Sequence, residues 1–220
     1  MNKSELESLT QKLRASSVPT HFSAEKARLL IAVWRKVAEG QAVPFEHVQQ
    51  IAANLQVAPA AAHDFIYQMS ELDENGCIVG IFGLSQKRHP HQFFVNGNRF
   101  YTWCAWDALF LPVMLAQSAE IESICPATEE KIQLTVSPRT VEQAEPKQAV
   151  LSIVVPEANN EAASGVEQVW KTFCCQVHFF SGMTPAKDWF VKKEANPIFL
   201  SLEEGFELGK LAFKELLGFV

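Results

Sequence analysis

The stretch HQFFVNGNRFYTWCAWDALFLPVMLA, residues 91–116, carries two structural signals in succession. Asn96-Gly97 sits between aromatic, strand-forming residues, the strongest short signal for a tight β-hairpin. The second strand runs into CAWDALFLPVMLA, an apolar segment that reads as a buried helix, kinked or restarted at Pro112. A hairpin feeding a buried helix implies an α+β fold. Working outward supports this. Towards the N-terminus, Ser23 can cap a helix over AEKARLLIAVWRKVAEG, with Ala27, Leu30, Ile31, Trp34 and Val37 at helical spacing and Gly40 at its end. FEHVQQIAANL follows Pro44 as a second helix, and AAAHDFIYQMSEL, reaching Leu72, forms a third. DENG then turns the chain into CIVGIFGLS, which reads as a strand. Three helices before a hairpin outline a winged helix-turn-helix. Residues 1–20 read only as a polar segment ending at Pro19.

Towards the C-terminus, IQLTVS and AVLSIVVP alternate like strands, and PEANNEAASGVEQ reads as a polar loop. KTFCCQVHFF reads as a strand. Thr184 is placed to cap a helix over PAKDWFVKK, PIFLSL reads as a strand, and EEGFELGKLAFKELL as one amphipathic helix. The expected architecture is a winged-helix-like three-helix domain over residues 1–86. It packs on a mixed, largely antiparallel sheet domain with flanking helices over residues 87–220.

Composition narrows the function. The 220 residues are 48% apolar and 20% charged, ordinary for a globular protein. No apolar run approaches the roughly 20 residues that span a bilayer; the longest, Ala108 to Ala116, contains Pro112. The polar start MNKSELESLTQKLR has no apolar segment of a secretory signal, so no membrane association and a cytoplasmic location are expected. A net charge of −6 argues against nucleic acid as a partner. The candidate recognition helix, Pro59 to Leu72, has no Lys or Arg, and Asp64, Glu71, Asp73 and Glu74 make the region acidic, whereas DNA affinity draws on basic contacts to phosphate. The five cysteines, Cys77, Cys104, Cys125, Cys174 and Cys175, read as reduced thiols, and no CxxC suggests a zinc ribbon.

If Cys104 opens a helix, Asp107 lies one turn on and on the same face. A helix N-terminus favours a thiolate, whereas apolar neighbours such as Trp103, Trp106 and Phe110 raise a carboxyl pKa and help Asp107 hold a proton. Spacing alone favours a plainer reading, a buried cysteine beside a capping aspartate. In a regular strand, Cys174 shares a polar face with Gln176 and His178, while Cys175 shares an apolar face with Phe173, Val177 and Phe179. Cys174 is then the thiol facing a functional site, with Cys175 in the core or backing it. His178 reads as a hydrogen-bonded core residue more readily than as a ligand. Cys77 and Cys125 read as structural or incidental.

WCAWD at 103–107, LTVSP at 134–138, FCCQVHFF at 173–180, AKDW at 186–189 and the ending EEGFELG together resemble organomercurial lyase (alkylmercury lyase). The resemblance is strongest from about Phe93 onward. It implies cleavage of a carbon–mercury bond by protonolysis, giving a hydrocarbon and Hg(II). It implies Cys104 and Cys174 as catalytic, mercury-binding thiols, Asp107 as proton donor and mercury neighbour, Cys175 as a possible accessory and Cys125 as structural; Cys77 has no counterpart. Mercury is soft and thiolate is the soft protein ligand, and a carboxylate that takes a thiol proton and returns it to carbon is a general acid–base. No cofactor is expected. External low-molecular-weight thiols and a mercuric reductase are the expected acceptors of Hg(II). Trp106 stands where a smaller aliphatic residue is expected, Gln176 where relatives can carry His, and the polar stretch 157–169 is longer than usual. The alternatives are a soft-metal (mercury) sensor or carrier without lyase activity, and a thiol enzyme with Cys104 as nucleophile.

Overall fold

The computed structural model describes residues 1–16, 18–156, 165–193 and 195–219. The chain opens with helix α1 (Lys3–Ala15), where sequence reasoning anticipated only a polar segment. Its signals were an Asn2–Glu5 capping box, with Asn2 Oδ1 accepting from the Glu5 N–H at 3.0 Å, and an apolar stripe of Leu6, Leu9 and Leu13. The three expected helices follow as α2 (Ala24–Val37), α3 (Phe45–Asn54) and α4 (Pro59–Gln68), with Ser23 capping α2 through the Lys26 N–H.

The third helix stops four residues short of the expected end. Ser70–Leu72 instead forms strand β1, which pairs antiparallel with β2 (Ile78–Ile81). The expected single strand over CIVGIFGLS is itself a hairpin of β2 and β3 (Leu84–Ser85). Phe82 and Gly83 make its turn with φ of 46° and 90°, the two left-handed residues that a tight hairpin needs. The second hairpin is as read: β4 (His91–Val95) and β5 (Asn98–Thr102) flank Asn96 and Gly97, also at positive φ. Helix α5 (Ala105–Leu115) runs through Pro112 without restarting and closes with Ala116 in the left-handed region.

Strands β6 (Ala119–Ile124), β7 (Lys131–Val136) and β8 (Val141–Glu145) complete an eight-stranded sheet of order β1-β2-β3-β5-β4-β6-β7-β8. A second sheet of order β10-β9-β11 contains β9 (Val150–Ile153), β10 (Phe179–Phe180) and β11 (Ile198–Ser201). Every pairing among the described residues is antiparallel, not mixed. Helix α8 (Leu202–Ala212) is followed by the short α9 (Lys214–Leu217), so the expected single terminal helix is broken at Phe213. Helix α7 (Met183–Val191) starts after Gly182, which places Thr184 inside it rather than at its cap.

The main departure concerns KTFCCQVHFF. Helix α6 (Val166–Thr172) is followed by a single 3-10 turn over Cys174–Gln176, and only Phe179 and Phe180 pair with β9. The Phe173 N–H donates to Val169 and the Gln176 N–H to Phe173, so local turns take the hydrogen bonds that a longer strand would have used. The polar loop expected over 156–168 lies mostly outside the described residues, while Val166 to Gln168 belong to α6.

Helix α5 is apolar nearly all round and packs between the large sheet and α8. The close approach of α8 depends on Gly205 and Gly209. A Cβ on Gly205 would lie 2.7 Å from Leu151 Cδ2 and 2.9 Å from Leu109 Cδ1, and one on Gly209 would lie 2.6 Å from Phe110 Cβ. Gly209→Val is therefore expected to lower stability by about 1–3 kcal/mol through overpacking, read from urea unfolding. An unchanged midpoint and slope would contradict this packing.

Candidate active site

Three polar groups separated in sequence meet at the start of α5. Strand β5 ends at Thr102, whose hydroxyl donates to the Cys104 carbonyl at 2.8 Å. Cys104 is extended (φ −143°) and occupies the N-cap of α5. Its N–H donates to Asp107 Oδ2 at 2.8 Å, while the Asp107 N–H points back at the Cys104 sulfur. This is a capping box with a thiol in place of the usual hydroxyl. The next free helix N–H, that of Ala105, donates at 3.3 Å to the Val177 carbonyl. That bond ties the start of α5 to the turn carrying Cys174. Cys104 Sγ, an Asp107 carboxylate oxygen and Cys174 Sγ all lie within 4.8 Å of one another. Their residues are 0%, 8% and 4% exposed.

The structure thus brings Cys104, Asp107 and Cys174 together and leaves the other cysteines outside. Cys175 is half-buried, not a core residue; its thiol donates to the Lys171 carbonyl at 3.1 Å. Successive residues of a 3-10 turn point about 120° apart, so adjacent thiols still diverge, although no strand separates them. His178 packs against Trp189, with ring centroids 5.1 Å apart, and its pKa is pushed down to about 4 by burial and the Lys193 charge. Cys125 is buried in the β6–β7 connection with the Ser181 hydroxyl 3.7 Å from its sulfur. The Cys77 N–H is held by Asp73 Oδ1 at 2.8 Å in the DENG turn.

A narrow, mostly apolar cavity of about 30 Å³ adjoins Asp107 and Cys174. Sequence reasoning anticipated Trp103, Trp106 and Phe110 around it but missed Phe82, Gly83, Phe173, Phe213 and the Val18–Pro19 segment. Gly83 is the most consequential of these. A Cβ there would lie 2.7 Å from Asp107 Cγ, and the Gly83 carbonyl accepts from the Trp103 N–H at 3.0 Å. The turn between β2 and β3 is therefore pressed against the carboxylate. The adjacent Phe82-Gly83 pair was the available signal, hidden by the reading of one continuous strand. A broader depression of about 760 Å³ on the β6–β8 face is lined by Glu120, Glu122, Glu142, Glu145 and Glu203 and contains none of the three groups.

Burial sets the protonation states. Desolvation pushes Asp107 up to about 6, against weaker opposing hydrogen bonds from the Cys104 thiol and N–H. Desolvation also drives Cys104 well above the ordinary thiol range, reinforced by its hydrogen bond with Cys174 and the Asp107 charge. For Cys174 the Cys104 hydrogen bond pulls downward, but burial and the nearby Asp107 charge outweigh it and the thiol is raised. The thiolate expected from the helix N-terminus is thus not the resting form. At neutral pH the cluster holds two thiols and a largely ionised carboxylate.

A family model described as alkylmercury lyase matches residues 84–214. An alkylmercury lyase of Staphylococcus epidermidis is 37% identical over 184 residues, covering 80% of this chain and 77% of that protein. One of Bacillus cereus is 32% identical over 217 residues, covering 95% and 91%. The crystal structure of the mercury-bound form of MerB2 superposes with a TM-score of 0.74 at 24% identity, covering 97% of this chain and all of that one, a likeness of fold. The chain belongs to the alkylmercury lyase family of enzymes. Among the described residues, no helix is long and apolar enough to cross a membrane.

The raised Asp107 pKa has a stability consequence with a definite sign. The folded value, about 6, lies above the unfolded value near 3.8. The stability associated with this group is therefore complete below pH ~4 and lost as pH rises through ~6. Asn at 107 has no charge to desolvate and can still accept the Cys104 N–H. Relative to wild type, Asp107→Asn should be more stabilising at pH 8 than at pH 4 by about 2 kcal/mol. Urea unfolding at both pH values measures this; an effect independent of pH would contradict it.

Proposed function

We propose that the chain cleaves the carbon–mercury bond of organomercurials by protonolysis, with Cys104, Cys174 and Asp107 as the catalytic groups. The observation that carries this reading is the convergence of two thiols and one carboxylate, within 4.8 Å of one another, beside an apolar cavity. An organomercurial arrives bound to an external thiolate. One active-site thiol forms a sulfur–mercury bond, and the departing thiolate leaves with that thiol's proton. The second thiol binds the same mercury and passes its proton to the ionised Asp107. Metal binding is what deprotonates these thiols, because their ordinary acidity is suppressed by burial. Two sulfur ligands raise electron density on mercury and weaken its bond to carbon. Asp107 then protonates carbon; the carbon–mercury electron pair becomes the new carbon–hydrogen bond, and mercury remains as Hg(II) on two thiolates. Protons and charge balance without an external acid, and the scheme needs no cofactor.

The same reading assigns the Hg(II) to low-molecular-weight thiols and onward to a mercuric reductase, as a mercury detoxification step in the reducing cytoplasm. Residues 1–86 are read as a winged-helix-like unit, on the order of α2, α3 and α4 followed by the β2–β3 hairpin. The absence of Lys and Arg from α4 fits a structural role for that unit and no nucleic-acid partner. Residues 87–220 then form the catalytic unit.

The test is release of methane or benzene from methyl- or phenylmercury in excess thiol. Cys104→Ala and Cys174→Ala should abolish it. Asp107→Asn should still bind mercury while turnover falls about 10²-fold or more, the scale of a lost general acid. Undiminished hydrocarbon release from Asp107→Asn would eliminate the acid assignment. Tight mercury retention by wild type without hydrocarbon would identify a carrier instead.

A further inference from the structure

The cavity beside Asp107 and Cys174 is small for an organic-group pocket. Its volume is about 30 Å³, whereas an apolar protein cavity that takes up benzene measures about 150 Å³. Among the large side chains that line it is Trp106, the residue immediately before Asp107. It is 1% exposed, and its indole N–H donates to the Gly205 carbonyl at 2.9 Å. Its ring lies edge-on to Phe110 and Phe173, with centroids 5.6 and 6.0 Å away, and tilted on Phe213 at 5.4 Å.

We infer that Trp106 is the residue that sets substrate specificity, restricting the organic group on mercury to about methyl size. The inference rests on the proposed carbon–mercury cleavage, because it treats this cavity as the place where the reacting carbon sits. Asp107 and Cys174 both line the cavity, so the carbon to be protonated and the mercury must share it. Trp106 cannot easily swing aside. Moving the indole breaks a buried hydrogen bond and leaves the indole N–H without its partner. Two aromatic rings packed edge-on to it and a third tilted on it hold the indole in place. A shorter side chain at 106 opens the wall next to Asp107 without touching either thiol or the carboxylate.

The experiment compares methylmercury with phenylmercury in wild type, Trp106→Leu and Trp106→Phe. Two ratios are read: phenyl over methyl kcat/KM from hydrocarbon release, and phenyl over methyl retention of mercury after desalting at fixed thiol. Using ratios removes the intrinsic difference in reactivity between the two substrates. Trp106→Leu should raise both ratios at least tenfold over wild type, and Trp106→Phe should raise them by less. If Trp106→Leu does not fold, a rise in Trp106→Phe, which keeps an aromatic ring against its neighbours, decides the matter. Ratios unchanged in every folded variant overturn the inference. A shifted retention ratio with no hydrocarbon from any form supports the pocket while overturning the lyase reading.

Discussion

Helix α5 begins in the buried interior, and its first N–H groups find partners inside the protein. The Cys104 N–H finds the Asp107 carboxylate and the Ala105 N–H finds the Val177 carbonyl. An unpaired buried N–H costs more than a typical hydrogen bond contributes, so these two bonds constrain everything around them. The first fixes the carboxylate one helical turn from the thiol. The second brings the Cys174 segment, about 70 residues later in the chain, against the same helix end. The turn at Phe82-Gly83 then closes over the carboxylate at a distance that only glycine permits.

Satisfying the helix end in this way places a carboxylate where a carboxylate is expensive. The pKa of Asp107 rises to about 6 because burial outweighs the hydrogen bonds it accepts. The same desolvation suppresses both thiols. The resting site is therefore a proton store with two thiols loaded and one acceptor vacant. A soft cation that binds sulfur releases those protons next to a base that can return one of them to carbon. Structural capping and proposed catalysis use the same atoms, which is why stability and reactivity are opposed at residue 107.

The apolar wall of the site is built from distant parts of the chain. Gly205 and Gly209 let α8 approach α5 closely enough for the Gly205 carbonyl to hold the Trp106 indole. Phe110, Phe173 and Phe213 pack around that indole from α5, the Cys174 segment and the α8–α9 junction. The shape of the cavity is thus set by interhelical packing rather than by any local motif. A change far from the thiols, at Gly209 for example, would reach the cavity through Phe110.

The sequence by itself determined the local features. The Asn96-Gly97 hairpin, helices α2 to α4 and the Cys104–Asp107 spacing at the head of a buried helix each follow from a few neighbouring residues, through turn geometry, apolar periodicity and capping. The raised pKa of Asp107 was also readable, since its tryptophan and phenylalanine neighbours are adjacent in the chain. The conformation around Cys174 was not. Apolar residues in KTFCCQVHFF fit both a strand and a turn, and the choice fell to hydrogen bonds made within the segment and by Val177 to α5. The suppressed thiolate at Cys104 was equally hidden, because the helix N-terminus acts locally whereas burial, the second thiol and the nearby charge come from the folded whole. The meeting of Cys104 with Cys174, the pressure of Gly83 on Asp107 and the size of the cavity against Trp106 were decided only in the tertiary structure. Each depends on distances between segments far apart in sequence, which periodicity and spacing along one chain do not encode.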